Sequence, residues 1–166
     1  DKDRVAITGW SLGGGVALYR AWKPLKDIIS PNLSFVAHLA IYPPCIIDMA
    51  LLDFTKASIH ILAGELDNWV PSDACVDLVK EMHNSGANAG ITVYPDAHHG
   101  FDREGPLVVE ENGYALSDCR FRMRADGAVL MNFLNIAMTK PYLQKLALAF
   151  CADRGPTLGG NPEARE

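Results

Sequence analysis

The sequence predicts an α/β fold built on a parallel sheet, and three observations carry that prediction. Short apolar runs recur at residues 5–7, 35–42, 59–63 and 91–94, with helical patterns between them. The two middle runs are almost continuously apolar, as strands covered on both faces are. Strand and helix alternate along the chain, which is the order of a parallel sheet flanked by helices. In such a sheet, chemistry belongs in the loops at the carboxyl ends of the strands.

The run at 5–7 is a short strand, and residues 12–22 follow as a helix whose first turn is rich in glycine. The runs at 35–42 and 59–63 supply two central strands. Ala74, Val76, Leu78, Val79 and Met82 mark a helix over 71–82, with start signals at Pro71, Ser72 and Asp73. The run at 91–94 is a fourth strand, closed by Pro95. Further on, Val129, Leu130, Phe133, Leu134 and Ala137 form an amphipathic stripe that predicts a last helix. From Asp153 the chain reads "DRGPTLGGNPEARE", with turn formers and charge but little to bury, so a loose tail is expected. The expected division is residues 1–140 as the main domain and 141–166 as a terminal segment.

Of the 166 residues, 49% are hydrophobic and 21% charged, enough to bury a core. A formal net charge of -5 offers no basic face for a phosphate backbone, so nucleic acid is an unsuitable partner. No apolar run reaches the roughly 20 residues that span a bilayer, and no polybasic stretch suggests a membrane surface. The start "DKDRV" is neither a signal peptide nor an initiator methionine, so the native N-terminus is expected upstream. Compartment stays open, with a soluble cytoplasmic protein favoured over a periplasmic or secreted one. Cys45, Cys75, Cys119 and Cys151 lack CxxC spacing and the histidines lack metal-ligand intervals, so neither metal nor cofactor is implied. Taken singly these cysteines read as small buried side chains. Cys45 follows one strand and Cys75 opens the helix after the next, which allows a disulfide between them.

"GWSLG", residues 9–13, matches GxSxG between a strand and a helix, the context of a nucleophile elbow. Such a turn strains the serine and exposes its Oγ; Gly9 and Gly13 leave out colliding side chains, and Gly14 lets helix and strand approach. A glycine-rich turn that only binds phosphate or caps the helix is the plainer alternative, but GxGxxG and the P-loop ending are absent. A serine nucleophile needs a histidine to take its proton and a carboxylate to orient that histidine. After the strand at 59–63 comes "ELDNWVP", with Glu65, Asp67 and Asp73 in reach. After the strand at 91–94 comes "DAHHGF", with His98 and His99. Serine, acid, histidine is the order of α/β-hydrolases.

The stretches "RVAITGWSLGG", "AHLAIYPPC", "ILAGELDNWVPSDAC" and "VYPDAHHGFD" together resemble the dienelactone hydrolase family over residues 4–102. That resemblance implies a partial α/β-hydrolase fold of about four parallel strands, with N-terminal strands of the full domain missing. It places the nucleophile on Ser11, the acid on Asp67 and the base on His99, the histidine before Gly100 and Phe101. The oxyanion hole takes one N–H from Leu12 and a second from an upstream loop. The founding enzymes of the family carry cysteine where this chain has Ser11, so the implied reaction is general ester or lactone hydrolysis on a small molecule.

His98 reads as loop filling, Glu65 as a solvated turn residue, and Asp73 as a helix-start charge. His38, His60 and His83 fall in strands or at a helix end and read as structural. Trp10 and Trp69 flank two of the triad positions and line a pocket or pack in the core. Two other readings share these features: a serine peptidase resembling the prolyl oligopeptidase group, and a noncatalytic module. If N-terminal strands are absent, the strand at 5–7 has an exposed edge that invites self-association.

Overall fold

In the computed structural model, residues 4–131 and 133–165 are described. Residues 1–3, Asn132 and Glu166, which fall within the two expected segments, lie outside the described residues. In chain order the first elements are β1 (Ala6–Trp10), α1 (Leu12–Tyr19), α2 (Lys23–Ile29), β2 (Ala37–Ile41), β3 (Ile47–Met49), β4 (Ser58–Gly64), α3 (Ser72–Asn84) and β5 (Ala89–Tyr94). β1, β2, β4 and β5 form one sheet in that order, and all three pairings are parallel. This is the predicted sheet, with β2, β4 and β5 within two residues of their sequence readings and β1 running three residues further than expected.

One face of the sheet is packed by helices. Ala40, Ile59, Ile61, Ala63 and Ala89 join Ala17 and Leu18 of α1 and Ala74, Leu78 and Met82 of α3 in the main core. Alternation then sends Leu39, Ile41, Leu62 and Tyr94 to the opposite face, where they meet Ala97, Phe101 and Ala164. Leu39, Leu62 and Tyr94 are only partly buried there, so this face is the more thinly covered of the two. β1 is exposed at three of its five positions.

Polar groups inside the core are satisfied locally. His38 on β2 is buried and its Nδ1–H donates to the Ala17 carbonyl at 2.7 Å. The fully buried Trp22 donates Nε1–H to the Leu51 carbonyl at 2.6 Å. Cys45 and Cys75 form a disulfide with Cα atoms 5.0 Å apart, tying the exit of β2 to the first turn of α3 as the sequence allows.

Beyond β5 the structure departs from the sequence reading. It forms β6 (Val108–Val109), β7 (Tyr114–Ala115), β8 (Phe121–Met123), β9 (Val129–Leu130), α4 (Pro141–Leu148), β10 (Asp153–Arg154), β11 (Thr157–Leu158) and a 3₁₀ turn at Glu163–Arg165. The helix predicted from the stripe at 129–137 is not formed. Val129 and Leu130 pair antiparallel with β8, Leu130 also bridges Ala137, and Asn135 takes a left-handed φ of 53°. The last helix is α4. Nor is the segment from Asp153 loose: β10 pairs with β7, β11 pairs with β6, and Pro156 is fully buried. No packing boundary falls at residue 140, because Ala147 of α4 shares a core with Ile46, Phe121 and Met131. A second disulfide, Cys119–Cys151, joins the two arms of this region and was not anticipated.

Burial, and to a lesser degree the nearby Arg20, pushes the His38 imidazole below its ordinary pKa. The unfolded chain then takes up a proton near pH 6.5 that the folded chain resists. This contribution to stability is complete above about pH 6.5 and is lost as pH falls through the lower folded value. Melting temperatures measured across this range should fall on the acid side, and less steeply in His38→Gln; an identical slope in the variant would remove His38 as the cause.

Candidate active site

Four loops meet at the carboxyl ends of the four parallel strands. The first is the β1–α1 turn, in which Ser11 has φ 51° and ψ -119°. A non-glycine residue holds such a conformation only when its surroundings enforce it. The Ser11 N–H donates to the Ile41 carbonyl at 2.9 Å, and the Ser11 carbonyl accepts from Gly15 at 3.0 Å. A Cβ on Gly9 would lie 2.2 Å from the Gly13 carbonyl oxygen, and one on Gly14 would lie 2.7 Å from that of Ile41. Those two glycines are sterically required. Gly13 is not: a Cβ there meets nothing within 4 Å, which corrects its assigned role.

Asp67 lies three residues beyond β4. Its Oδ1 accepts from the N–H groups of Trp69 and Val70, each at 2.9 Å, so the carboxylate folds its own loop into a compact turn. Its Oδ2 accepts from His99 Nδ1–H at 2.8 Å. That contact fixes the tautomer, leaving His99 Nε2 as an acceptor for the Ser11 hydroxyl at 2.9 Å. Asp67 and His99 are each only 5% exposed. Three hydrogen bonds to the carboxylate offset the cost of burying its charge.

Ser11, Asp67 and His99, predicted from separate motifs, thus form one connected chain. The neighbouring candidates do not join it. Glu65 is exposed and accepts the Asp96 N–H at 3.1 Å. Asp73 accepts the Ala74 N–H and pairs with Arg120 at 3.4 Å. His98 has a buried Nδ1 without a hydrogen-bond partner, and the imidazole that meets the Ser11 hydroxyl is that of His99. His60 meets the Thr92 hydroxyl and His83 the Ala89 carbonyl, both on the sheet. Leu12 is the first residue of α1, so its N–H has no partner within the helix and lies at the positive end of the helix dipole.

Aromatic rings flank His99. Trp69 is half-buried with its ring centroid 5.1 Å from that of His99, and Tyr42 lies 4.6 Å away on another side. Sequence reasoning missed Tyr42 and Asp102. Tyr42 directly follows β2 with φ 37°, and its hydroxyl donates to Asp102 Oδ1 at 2.8 Å. Asp102 Oδ2 accepts from Trp10 Nε1–H at 2.6 Å, so one carboxylate links the elbow, the β2 exit and the loop of His99. Burial and this carboxylate push the Tyr42 phenol upward, which keeps it a donor. The signal available in sequence was weak: an aspartate three residues after the histidine and a tyrosine before two prolines.

Among the described residues no group of three His, Cys, Asp or Glu side chains is placed to hold a metal ion. No helix there is long and apolar enough to cross a membrane.

A model of the dienelactone hydrolase family matches residues 1–123. Protein usf of Aquifex pyrophilus is 27% identical over 101 residues, which is 61% of this chain and 41% of that protein. A solved structure from Klebsiella pneumoniae, assigned as a dienelactone hydrolase, is 27% identical with a TM-score of 0.48, covering 61% of this chain and 43% of its own. Esterase 2 of Thermogutta terrifontis is 19% identical with a TM-score of 0.47, covering 59% and 46%. The chain therefore spans less than half the length of these relatives.

The Asp102 link is testable by itself. A double-mutant cycle on unfolding with Tyr42→Phe and Asp102→Ala should give a coupling of about 1 kcal/mol, the scale of a partly buried hydrogen bond to a carboxylate. Strict additivity of the two substitutions would show that the pair is not coupled.

Proposed function

The chain belongs to the dienelactone hydrolase family, and on that footing we propose that it carries the catalytic residues of a serine hydrolase acting on small carboxylic esters or lactones. The observation that carries this reading is the His99 imidazole, hydrogen-bonded through one nitrogen to Ser11 and through the other to buried Asp67. In the proposed reaction the Ser11 oxygen attacks the substrate carbonyl while His99 Nε2 takes the hydroxyl proton. Asp67 stabilises the imidazolium that forms. The negative oxygen of the tetrahedral intermediate faces the Leu12 N–H at the start of α1. His99 returns the proton to the leaving oxygen, water attacks the acyl-serine by the same route, and the acid departs. Trp69 and Trp10, beside the base and the nucleophile, are placed to wall an acyl or ring group.

Ser11→Ala should lower aryl-ester turnover by up to about 10⁶ and abolish labelling by a fluorophosphonate. His99→Ala should remove nearly all activity, and His98→Ala should keep a substantial part. Turnover of a peptide amide at a rate rivalling the ester would favour a peptidase, and an unlabelled parent protein would favour a noncatalytic module.

Two features bear on where the chain works and with what. Two cystines fit an oxidising compartment better than the cytoplasm. Among the described residues β1 pairs with β2 on one side and with no strand on the other, and Val5, Leu12 and Val16 nearby are exposed. In the 166-residue chain by itself, this edge is proposed to pair with a second copy, a contact that the expected upstream strands would replace. Size-exclusion chromatography should show a dimer or larger species; a stable monomer at all concentrations would count against it.

A further inference from the structure

The chain leaves the base loop after Arg103, makes a long excursion through β6 to β11, and returns to the same loop. On its return Leu158 bridges His99, the Gly159 N–H donates to the His99 carbonyl at 2.9 Å, and the Asn161 N–H donates to the Phe101 carbonyl at 2.9 Å. This close approach needs residues without side chains. A Cβ on Gly160 would lie 2.2 Å from the Arg103 carbonyl oxygen, and one on Gly159 would lie 2.5 Å from that of Pro106.

The same excursion grips the acid loop. The Leu116 N–H donates to the Trp69 carbonyl at 3.0 Å, and the Ser117 hydroxyl donates to the Asn68 carbonyl at 3.1 Å. The Thr157 N–H donates to the Asn68 side-chain oxygen at 2.8 Å. Asn68 is therefore held from both arms of the excursion, one at Ser117 and one at Thr157. Those arms are themselves paired, β7 with β10 and β6 with β11, and joined by Cys119–Cys151. Thr157, Gly159 and Asn161 all lie beyond residue 123, where the family match ends.

Asn68 stands between Asp67 and Trp69, and the peptides that follow it supply both N–H donors to Asp67 Oδ1. Rotation of the Asn68 backbone would withdraw those donors and swing the carboxylate away from His99. We propose that Asn68 is a positioning residue, through which the cystine-joined lobe of residues 104–158 locks the Asp67 loop to the His99 loop. This rests on the triad reading above. The role of the lobe is to hold the acid and base in register while the proton moves between Ser11 and His99.

The test uses the full chain with Asn68→Ala and Asn68→Asp, an aryl acetate as substrate, and amide hydrogen exchange as a readout independent of turnover. In Asn68→Ala, kcat should fall about 10- to 100-fold with KM within about threefold, as expected for misplacement of a group near the chemistry. Exchange at the Trp69 and Val70 amides should quicken. Asn68→Asp keeps an acceptor oxygen for Thr157, so on the plateau of its pH profile it should recover most of the loss. Equal losses in both variants, or Asn68→Ala with parental kcat and parental exchange, would overturn the proposal. Absence of Ser11-dependent turnover in the parent bears on the hydrolase reading alone, and exchange at Trp69 and Val70 still decides whether Asn68 holds the loop: faster exchange in Asn68→Ala supports it, and unchanged exchange overturns it.

Discussion

The Ser11–His99 hydrogen bond has to span the sheet. β1 and β5 are its opposite edges, with β2 and β4 between them, and strands spaced about 4.8 Å apart put those edges roughly 14 Å from each other. The loop after β5 must run back over β4 and β2 to deliver an imidazole to a serine on β1. Much of the local structure follows from that reach. Gly64 ends β4 because a Cβ there would lie 2.4 Å from the Ala97 carbonyl oxygen as the loop crosses. That carbonyl accepts the Leu66 N–H at 2.9 Å. Phe101 anchors the crossing by packing beneath it with Ile41 and Tyr42, and Asp102 then reaches Tyr42 and Trp10 on the far side.

Burial sets the electrostatics of the crossing. A carboxylate and an imidazole removed from water interact strongly, but only full hydrogen bonding keeps their burial tolerable. The backbone of residues 69 and 70 supplies that bonding from within the turn of Asp67 itself, so one carboxylate oxygen is satisfied locally and the other is left to accept from His99. Tyr42 and Trp69 close over the ring and limit the water that would otherwise compete for it.

The parts of this design that are local in sequence were legible in it. The strand-to-helix turn around Ser11, the acid after one apolar run and the histidine after another each have short-range signatures, and so do the four parallel strands. The region after residue 103 was not legible, because its order comes from distant pairing. Val129 to Ala137 fits a helical stripe, yet Asp126 and Gly127 form a turn with φ 83° at the glycine and start a hairpin strand instead. Helix α2 was hidden by Pro24, which is tolerated in its first turn. The sequence after Asp153 is poor in apolar residues, so composition marks it as loose, although backbone pairing with Val108, Val109, Tyr114 and Ala115 orders it. Hydropathy reports what a segment can bury, and this segment is held by hydrogen bonds.

A common device ends three of the four parallel strands. Ser11 follows β1, Tyr42 follows β2 and Asp96 lies just past β5, and these are three of the four non-glycine residues with positive φ among the described residues. Each such conformation costs on the order of 1–3 kcal/mol. Each also donates its N–H toward the β2 or β4 side of the sheet: Ser11 to the Ile41 carbonyl, Tyr42 to the Leu62 carbonyl, and Asp96 to the Glu65 carboxylate. The strain turns the chain sharply at the end of its strand, and the cross-strand bond keeps it from relaxing. A serine, a tyrosine and the loop of a histidine are thereby raised above the same edge and aimed at one another. Glu65, outside the Ser11–His99–Asp67 hydrogen-bonded chain, thus anchors the loop that carries His99 through the Asp96 N–H.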